Sequence, residues 1–436
     1  MKVKVLRFFE YEKVKFSNTY QLAETGRPIN FTPPQISAFR KLHTDTNGLY
    51  YDLIDNGIKF KEQVGVIQIN DLTIEVLPKI DKEDNETSRW HDILLDMLKE
   101  CRFLEPNSSE YANLKLRSNS LLQLYFEKYI SQLEDLLHRG LIRKYRKEED
   151  NQQTLKGKLL FNKHIQHNLI HAERFYTNHT VYDKNHNIHQ ILLQALQVIQ
   201  HLSEESELLD RINTLITVWP NSTQLHINQT LFDSIPINRK TQFYQESLLI
   251  ARMILLNYHP DLRGGDQSVL ALMFNMNDLW EEFIFRRLKK AERQLDWKVS
   301  SQKGMSYWTG ESGAKKLIPD IIIQCKSTGR KIIFDTKWKR PVRNKPDDQD
   351  LRQLLSYKLY YQGDMAYLVY PCCSGRSFIM DGQYHNQVHQ GNIEVFKDGF
   401  GLQGGLMFID IINERKLVSK KEFVEVIILP IIRSAV

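Results

Sequence analysis

The chain has 436 residues, enough for two or three domains with sizeable hydrophobic cores. Hydrophobic residues make up 42% and charged residues 26% of the sequence, which is ordinary for a soluble globular protein. The net charge of +6 permits a polyanionic partner but does not require one.

Several classes of protein and of site are excluded. No apolar run approaches the roughly 20 residues of a membrane helix, and the N-terminus has no signal-peptide core. The cysteines are Cys101, Cys325, Cys372 and Cys373, which form no CxxC pair and no disulfide framework. No GxxxxGK[ST] motif is present, so we expect this chain to bind no nucleotide itself. We therefore expect a cytoplasmic protein without a membrane partner.

Residues 1–85 are predicted to form a β-rich N-terminal domain. The runs 64–69 and 72–76, joined by an Asn-Asp turn at 70–71, indicate a β-hairpin. Nothing in this region has a catalytic pattern, so we interpret it as a structural or adaptor domain.

Residues 86–260 are predicted to form a mostly helical middle domain. Apolar residues at helical spacing predict helices at 90–104, 121–137, 189–202 and 245–256. A basic stretch lies between them at 140–157. It could contact phosphates or the acidic surface of a partner. The alternative is a solvated loop.

Residues 261–436 change to an α/β pattern. The order helix, strand, strand, helix, strand predicts a mixed sheet flanked by helices, and an amphipathic helix opens near Met276. Asp278 and Glu281 have the spacing of a helix capping box. The alternative role for Glu281 is a third carboxylate above a metal site.

Charged residues interrupt two apolar runs in this region, at 317–324 and 331–338. The two runs are joined by a Gly-containing turn and predict adjacent antiparallel strands. Asp320 lies in the first run, while Asp335 and Lys337 share one face of the second. Burying charged groups is costly unless they pair or bind a metal.

The chemistry that fits these residues is metal-assisted phosphodiester hydrolysis. Asp320 and Asp335 would hold Mg²⁺, which prefers oxygen ligands, and the Thr336 carbonyl would add another oxygen. Lys337 would orient the attacking water or stabilise developing negative charge. The alternative is a solvated surface ion pair, because an Asp-x-Lys triplet occurs often by chance.

DNA contacts are predicted beside these strands. The basic loop 339–345 carries Lys339, Arg340 and Arg343, and the following helix places Gln353 and Tyr357 on one face. These five side chains would lie along a nucleic-acid backbone. Tyr357 has a second interpretation as a core residue.

The chain resembles a known family. Residues 277–284, the pair Asp320 and Asp335-Thr-Lys337, and residues 353–357 resemble the PD-(D/E)xK nuclease core. More narrowly, they are similar to McrC, the nuclease subunit of McrBC-type modification-dependent restriction systems. Residues 64–80 and 155–158 are similar to that family as well. The middle region is longer here than in compact members.

This resemblance implies roles for single residues. Asp320 and Asp335 would be the metal ligands and Lys337 the catalytic lysine. Glu281 would be an accessory acid, with the adjacent Glu282 as the alternative. The implied cofactor is Mg²⁺, with Mn²⁺ as a substitute, and the implied fold is a C-terminal restriction-endonuclease-like domain.

The resemblance also implies partners. McrC-like proteins act with McrB, a GTP-hydrolysing AAA+ hexamer, whose GTPase the N-terminal region stimulates while the C-terminal domain cuts modified double-stranded DNA. Two alternatives remain. One is a non-catalytic adaptor that activates an AAA+ partner, and the other is a stand-alone repair nuclease of the same superfamily.

Overall fold

The computed structural model describes residues 4–80, 86–101, 120–171, 173–203, 205–220, 225–259, 268–292, 296–310, 313–373, 377–384, 402–413, 416–417 and 423. Within these ranges the chain is a mixed α+β protein with several sheets, as predicted. None of the helices in the described ranges is both long and apolar enough to cross a membrane.

The N-terminal region combines strands with a single described helix. Its elements are β1 (Lys4–Phe9), β2 (Lys13–Lys15), β3 (Tyr20–Gln21), β4 (Pro28–Ile29), α1 (Pro33–Asp45), β5 (Tyr51–Ile54), β6 (Gly57–Phe60), β7 (Gln63–Ile69) and β8 (Leu72–Leu77). The predicted hairpin is confirmed, because β7 and β8 pair in antiparallel register from Ile69 opposite Leu72. Asn70 makes the turn with a φ of 52°, a left-handed conformation that Asn tolerates.

The middle region contains the four predicted helices and an additional small sheet. Its elements are α2 (Thr87–Glu100), α3 (Leu121–Arg139), β9 (Lys144–Gln152), β10 (Lys158–Leu159), α4 (Phe161–Asn168), β11 (Phe175–Asp183), α5 (Asn187–Leu202), α6 (Ser206–Val218), α7 (Gln229–Asp233) and α8 (Gln245–Leu256). Residues 102–104, predicted as the end of the first helix, lie outside the described residues. Much of the basic stretch is strand β9, which pairs with β11. The loop interpretation is therefore wrong for residues 144–152.

Two later strands complete the N-terminal sheet. These are β12 (Tyr258–His259) and β13 (Val269–Asn275), and the strand order is β1-β8-β7-β13-β12. Strand β13 pairs with β7 along its whole length. The sequence division at 260/261 had assigned β13 to the third domain. The structure instead places it in the first sheet, since a short apolar strand carries no local mark of its partner.

The C-terminal region contains a six-stranded mixed sheet. Its elements are α9 (Met276–Ala291), β14 (Trp297–Ser301), β15 (Met305–Gly310), β16 (Gly313–Leu317), β17 (Ile321–Cys325), β18 (Lys331–Thr336), α10 (Asp348–Tyr361), β19 (Met365–Cys372), β20 (Phe378–Tyr384), β21 (Leu402–Asp410), β22 (Ile412–Asn413) and β23 (Lys416–Leu417). The strand order is β14-β17-β18-β19-β21-β20, with β18, β19 and β21 parallel and the other pairs antiparallel. The predicted mixed sheet is confirmed.

Helices cover both faces of this sheet. Ile332 and Phe334 belong to the core cluster that contains α9, whereas Ile333 packs in the cluster that contains α10. Because side chains alternate along a strand, Asp335 is directed to the α10 face. The charged residues of the second run thus lie between the sheet and α10.

The start of α9 differs from the prediction. Asn275 is the N-cap, and its side chain accepts hydrogen bonds from the backbone N–H groups of Asn277 and Asp278. The predicted cap at Asp278 is therefore wrong by one turn. Asn275 has the β-region backbone that an N-cap requires, and Glu281 is left without a capping role.

Candidate functional site

Two carboxylates meet at one end of the β17–β18 pair. Ile321 is opposite Phe334 in this antiparallel ladder, so Asp320 and Asp335 are the next residue on each strand. The Asp320 carboxylate accepts hydrogen bonds from the Thr336 backbone N–H (2.6 Å) and from the Thr336 hydroxyl (2.7 Å). These two bonds fix the Asp320 side chain against β18.

Asp335 is fully buried near the end of β18. Lys337 Nζ lies 2.8 Å from Asp335 Oδ2. Within the described part of the chain, Asp335 Oδ1 has no hydrogen-bond partner. Burial and the nearby Asp320 charge raise the pKa of Asp335 to about 7, although Lys337 opposes this shift.

The position of Lys337 is set by a hydrogen-bonded chain from α10. Lys337 Nζ donates to Gln353 Oε1 (3.3 Å), and Gln353 Nε2 donates to the Tyr357 hydroxyl (2.7 Å). That hydroxyl donates to the Ile318 carbonyl, 2.9 Å away and two residues before Asp320. The network therefore links the lysine to the strand end that carries the first carboxylate.

Glu281 reaches the site from α9. Burial and the Asp320 charge raise the pKa of Glu281 to about 7. Its Oε1 accepts a hydrogen bond from Gln302 Nε2 (3.1 Å). The adjacent Glu282 is directed elsewhere, since it forms an ion pair with Arg286 (2.5 Å).

Gln302 was not identified from the sequence. Its backbone N–H donates to the Asp320 carbonyl (3.1 Å) while its side chain holds Glu281, so it joins two acidic residues. Gln302 lies in a polar connection with a φ of 49°, and no motif marks it. Only the folded arrangement shows its place.

The predicted DNA contacts have different surroundings. Lys339 forms ion pairs with Asp347 and with Asp350 (2.7 Å), so its charge is largely compensated within the protein. Arg340 and Arg343 are exposed. Tyr357 is buried in the core with only its hydroxyl at the site, so its core interpretation is the one the structure favours.

The residues at this strand end suit a hard divalent cation. Asp320 and Asp335 supply carboxylate oxygens, and the buried Asp335 Oδ1 lacks the partner that buried polar atoms normally have. Among the described residues, no three His, Cys, Asp or Glu side chains cluster at metal-binding distances. Such a site would thus have few protein ligands, which is usual for Mg²⁺ because it retains several waters.

The chain is similar in fold to proteins of known structure. Two similar solved structures come from Thermococcus gammatolerans. The first is a chain of the refined half-complex from a tetradecameric assembly of McrB AAA+ hexamers with bound McrC. Its TM-score is 0.66 at 14% identity, and the similarity covers 96% of this chain and 97% of that chain. A chain of the cryo-EM structure of the McrBC complex has a TM-score of 0.49 at 16% identity, covering 66% of this chain and 88% of that chain.

The first of these similarities shows a shared fold.

A comparison with curated proteins gives no match. A family model described as "McrBC 5-methylcytosine restriction system component" matches residues 58–371, which is most of the chain. The sequence resemblance is thereby confirmed, and the chain belongs to the McrBC family.

Proposed function

We propose that this chain is the Mg²⁺-dependent DNA endonuclease subunit of a McrBC-like restriction complex, acting in the cytoplasm. The observation that carries the proposal is the buried Asp335, with one unpartnered oxygen, next to Asp320 and Lys337. A buried acceptor without a partner costs about 1–3 kcal/mol, and a cation bound between the two carboxylates would offset that cost.

The mixed sheet supports a PD-(D/E)xK nuclease domain. Asp320 follows a proline at the start of β17, and Asp335 and Lys337 come at the end of β18, as in that motif. When bound by Asp320, Asp335 and the Thr336 carbonyl, Mg²⁺ would neutralise phosphate charge and lower the pKa of a coordinated water.

The chain's own residues would prepare the reaction. Lys337, held between Asp335 and Gln353, would present its ammonium group to the attacking water or to a phosphate oxygen. Glu281 would hold a proton or a second water at the α9 side of the site, since its pKa lies near 7.

The N-terminal region, together with the middle region, would dock onto a GTP-hydrolysing AAA+ hexamer and stimulate its GTPase. Supporting this, α4 and the connections on either side of it in the middle region bear several exposed large apolar side chains, which are Leu155, Phe161, Ile165, Leu169 and Ile170. Concentrated exposed apolar side chains are typical of protein interaction sites. The Thermococcus complex with the similar fold contains McrB AAA+ hexamers with bound McrC.

The test is cleavage of methylated and unmethylated plasmid by the wild type and Asp335→Asn, with and without the AAA+ partner and GTP. We expect cleavage by the wild type only with both, and a loss of about 10³-fold in the variant. Asp348→Asn, an exposed carboxylate of the same domain, is the matched control and should cut normally.

Two outcomes would contradict the proposal. Cutting by the wild type without a partner would favour the stand-alone repair nuclease. Undiminished cutting by Asp335→Asn would mean that the carboxylate pair is structural, and would favour the non-catalytic adaptor.

A further inference from the structure

A separate hairpin leads directly into the first carboxylate. Strands β15 and β16 pair only with each other among the described residues, outside the six-stranded sheet. Ile318 and Pro319 alone separate the end of β16 from Asp320. Nearly every residue of both strands is exposed, so the hairpin encloses no core of its own.

The exposed face of this hairpin is aromatic. Tyr307 and Trp308 are 43% and 49% exposed. The six-membered ring of Trp308 lies on Gly310, where an added Cβ would come within 2.3 Å of the ring. Gly310 thus leaves room for the ring to lie along the strand surface. Together with Met305, which is 40% exposed, Tyr307 and Trp308 form a group of large apolar side chains on one short strand, which is typical of a binding surface.

The charged residues of the two strands are both lysines. Lys315 is opposite Trp308 and Lys316 is opposite Ser306 in the antiparallel register. Neither forms an ion pair with another residue that the structure describes. Cationic and aromatic groups side by side suit a sugar-phosphate backbone, because lysine neutralises phosphate and the aromatic ring packs against the apolar face of a sugar.

The hairpin is held in place relative to the carboxylates. The Tyr361 hydroxyl donates to the Leu317 carbonyl (2.8 Å) at the end of β16 and contacts the Lys303 carbonyl in the connection that leads into β15. Tyr307 packs edge-on against Tyr360, with ring centroids 5.9 Å apart. Tyr360 and Tyr361 both belong to α10, the helix that also positions Lys337. The hairpin surface and the site therefore keep a constant separation.

We propose that the β15–β16 hairpin is a DNA-binding element that grips the backbone beside the scissile phosphate. Lys315 and Lys316 contact phosphates, and Trp308 and Tyr307 pack against the adjoining nucleotides. The contact is independent of sequence, since it reads the backbone rather than base edges. This inference rests on the proposed nuclease function. It identifies the hairpin as the surface that holds the DNA substrate.

The experiment measures binding of the full chain, with its AAA+ partner, to a fluorescein-labelled DNA duplex, with Ca²⁺ replacing Mg²⁺. The variants are Trp308→Ala and the double variant Lys315→Ser/Lys316→Ser. We expect each to weaken binding about tenfold, and the double variant to reduce the slope of log K against log salt by about two. The matched control is Lys13→Ser/Lys59→Ser, a cross-strand lysine pair in the N-terminal region.

Cleavage kinetics in Mg²⁺ separate this inference from the proposed function. The hairpin variants should raise KM about tenfold while kcat at saturating DNA stays within about twofold of wild type, unlike Asp335→Asn. Unchanged binding and KM in both variants would overturn the hairpin assignment and leave the nuclease proposal standing. Normal DNA binding with loss of the AAA+ partner, seen by size-exclusion chromatography, would overturn it in favour of a protein-docking surface.

Discussion

Trp338 donates a hydrogen bond from its indole Nε1 to Glu10 Oε1, 2.7 Å away and 328 residues apart in sequence. Glu10 follows β1 of the N-terminal sheet, and Trp338 immediately follows Lys337. The Trp338 ring also packs against Trp280 of α9, and its backbone N–H donates to Asn277 Oδ1 (3.2 Å). The N-terminal region is thus joined to the residue beside the candidate catalytic lysine.

This contact makes stability depend on pH. Burial raises the pKa of Glu10 to about 7, against hydrogen bonds from Lys79 and Trp338 that oppose the shift. Between pH 4.5 and 7 the folded protein holds a proton that the unfolded chain has released, so stability decreases as pH rises through this window. Replacing Glu10 with glutamine keeps an acceptor oxygen and removes the titration, so Glu10→Gln should be relatively more stable at high pH.

The measurement is the melting temperature of wild type and Glu10→Gln at pH 5 and pH 8. The drop from pH 5 to pH 8 should be smaller in the variant, by up to about 3 kcal/mol in unfolding free energy. Glu24→Gln, an exposed carboxylate in the same region, is the control and should follow the wild type. An identical pH dependence in Glu10→Gln would show that Glu10 is ionised throughout.

Local patterns predicted the local geometry at this strand end. The β-branched runs predicted strands β17 and β18, and period-two alternation placed Asp335 and Lys337 on one face, where the structure shows their ion pair. The helical spacing of Gln353 and Tyr357 likewise predicted that they share one helix face, where the structure shows a 2.7 Å hydrogen bond between them. These relationships depend on residues a few positions apart, and backbone geometry fixes them.

Long-range relationships were not predictable in this way. Strand β13 pairs with β7 some 200 residues earlier, and any buried sheet edge would have suited its apolar side chains. Strand β9 is highly charged and has a poor strand composition, yet it is held by β11 and by the pair of Arg146 with Asp183 (2.8 Å). In both cases a distant partner overrides local propensity.

Tyr357 offers a prediction about positioning. Its hydroxyl accepts a hydrogen bond from Gln353 Nε2 and donates one to the Ile318 carbonyl, so Tyr357→Phe would remove both bonds. Lys337 would lose its orientation, and we expect cleavage to slow about tenfold with DNA affinity unchanged. Single-turnover cleavage and duplex binding measure the two effects separately.

Tyr360→Phe is the matched control for that experiment. Tyr360 is on the same helix, but its side chain is exposed, and phenylalanine retains its ring contact with Tyr307. It should cut at the wild-type rate. Weakened DNA binding by Tyr357→Phe with an unchanged cleavage rate would instead make Tyr357 a direct DNA contact, as the sequence had suggested.

The adjacent acids Glu281 and Glu282 should differ sharply in their effect on metal dependence. The Asp320 charge raises the pKa of Glu281, and the Gln302 side chain donates a hydrogen bond to Glu281. Glu282 instead forms an ion pair with Arg286 on the same helix. Glu281→Gln should therefore raise the Mg²⁺ concentration for half-maximal cleavage about tenfold, because it removes a carboxylate near the metal ligands. Glu282→Gln should leave it unchanged and lower stability slightly, by at most about 1 kcal/mol. A Mg²⁺ titration of cleavage by both variants decides between them, and the reverse result would make Glu282 the accessory acid.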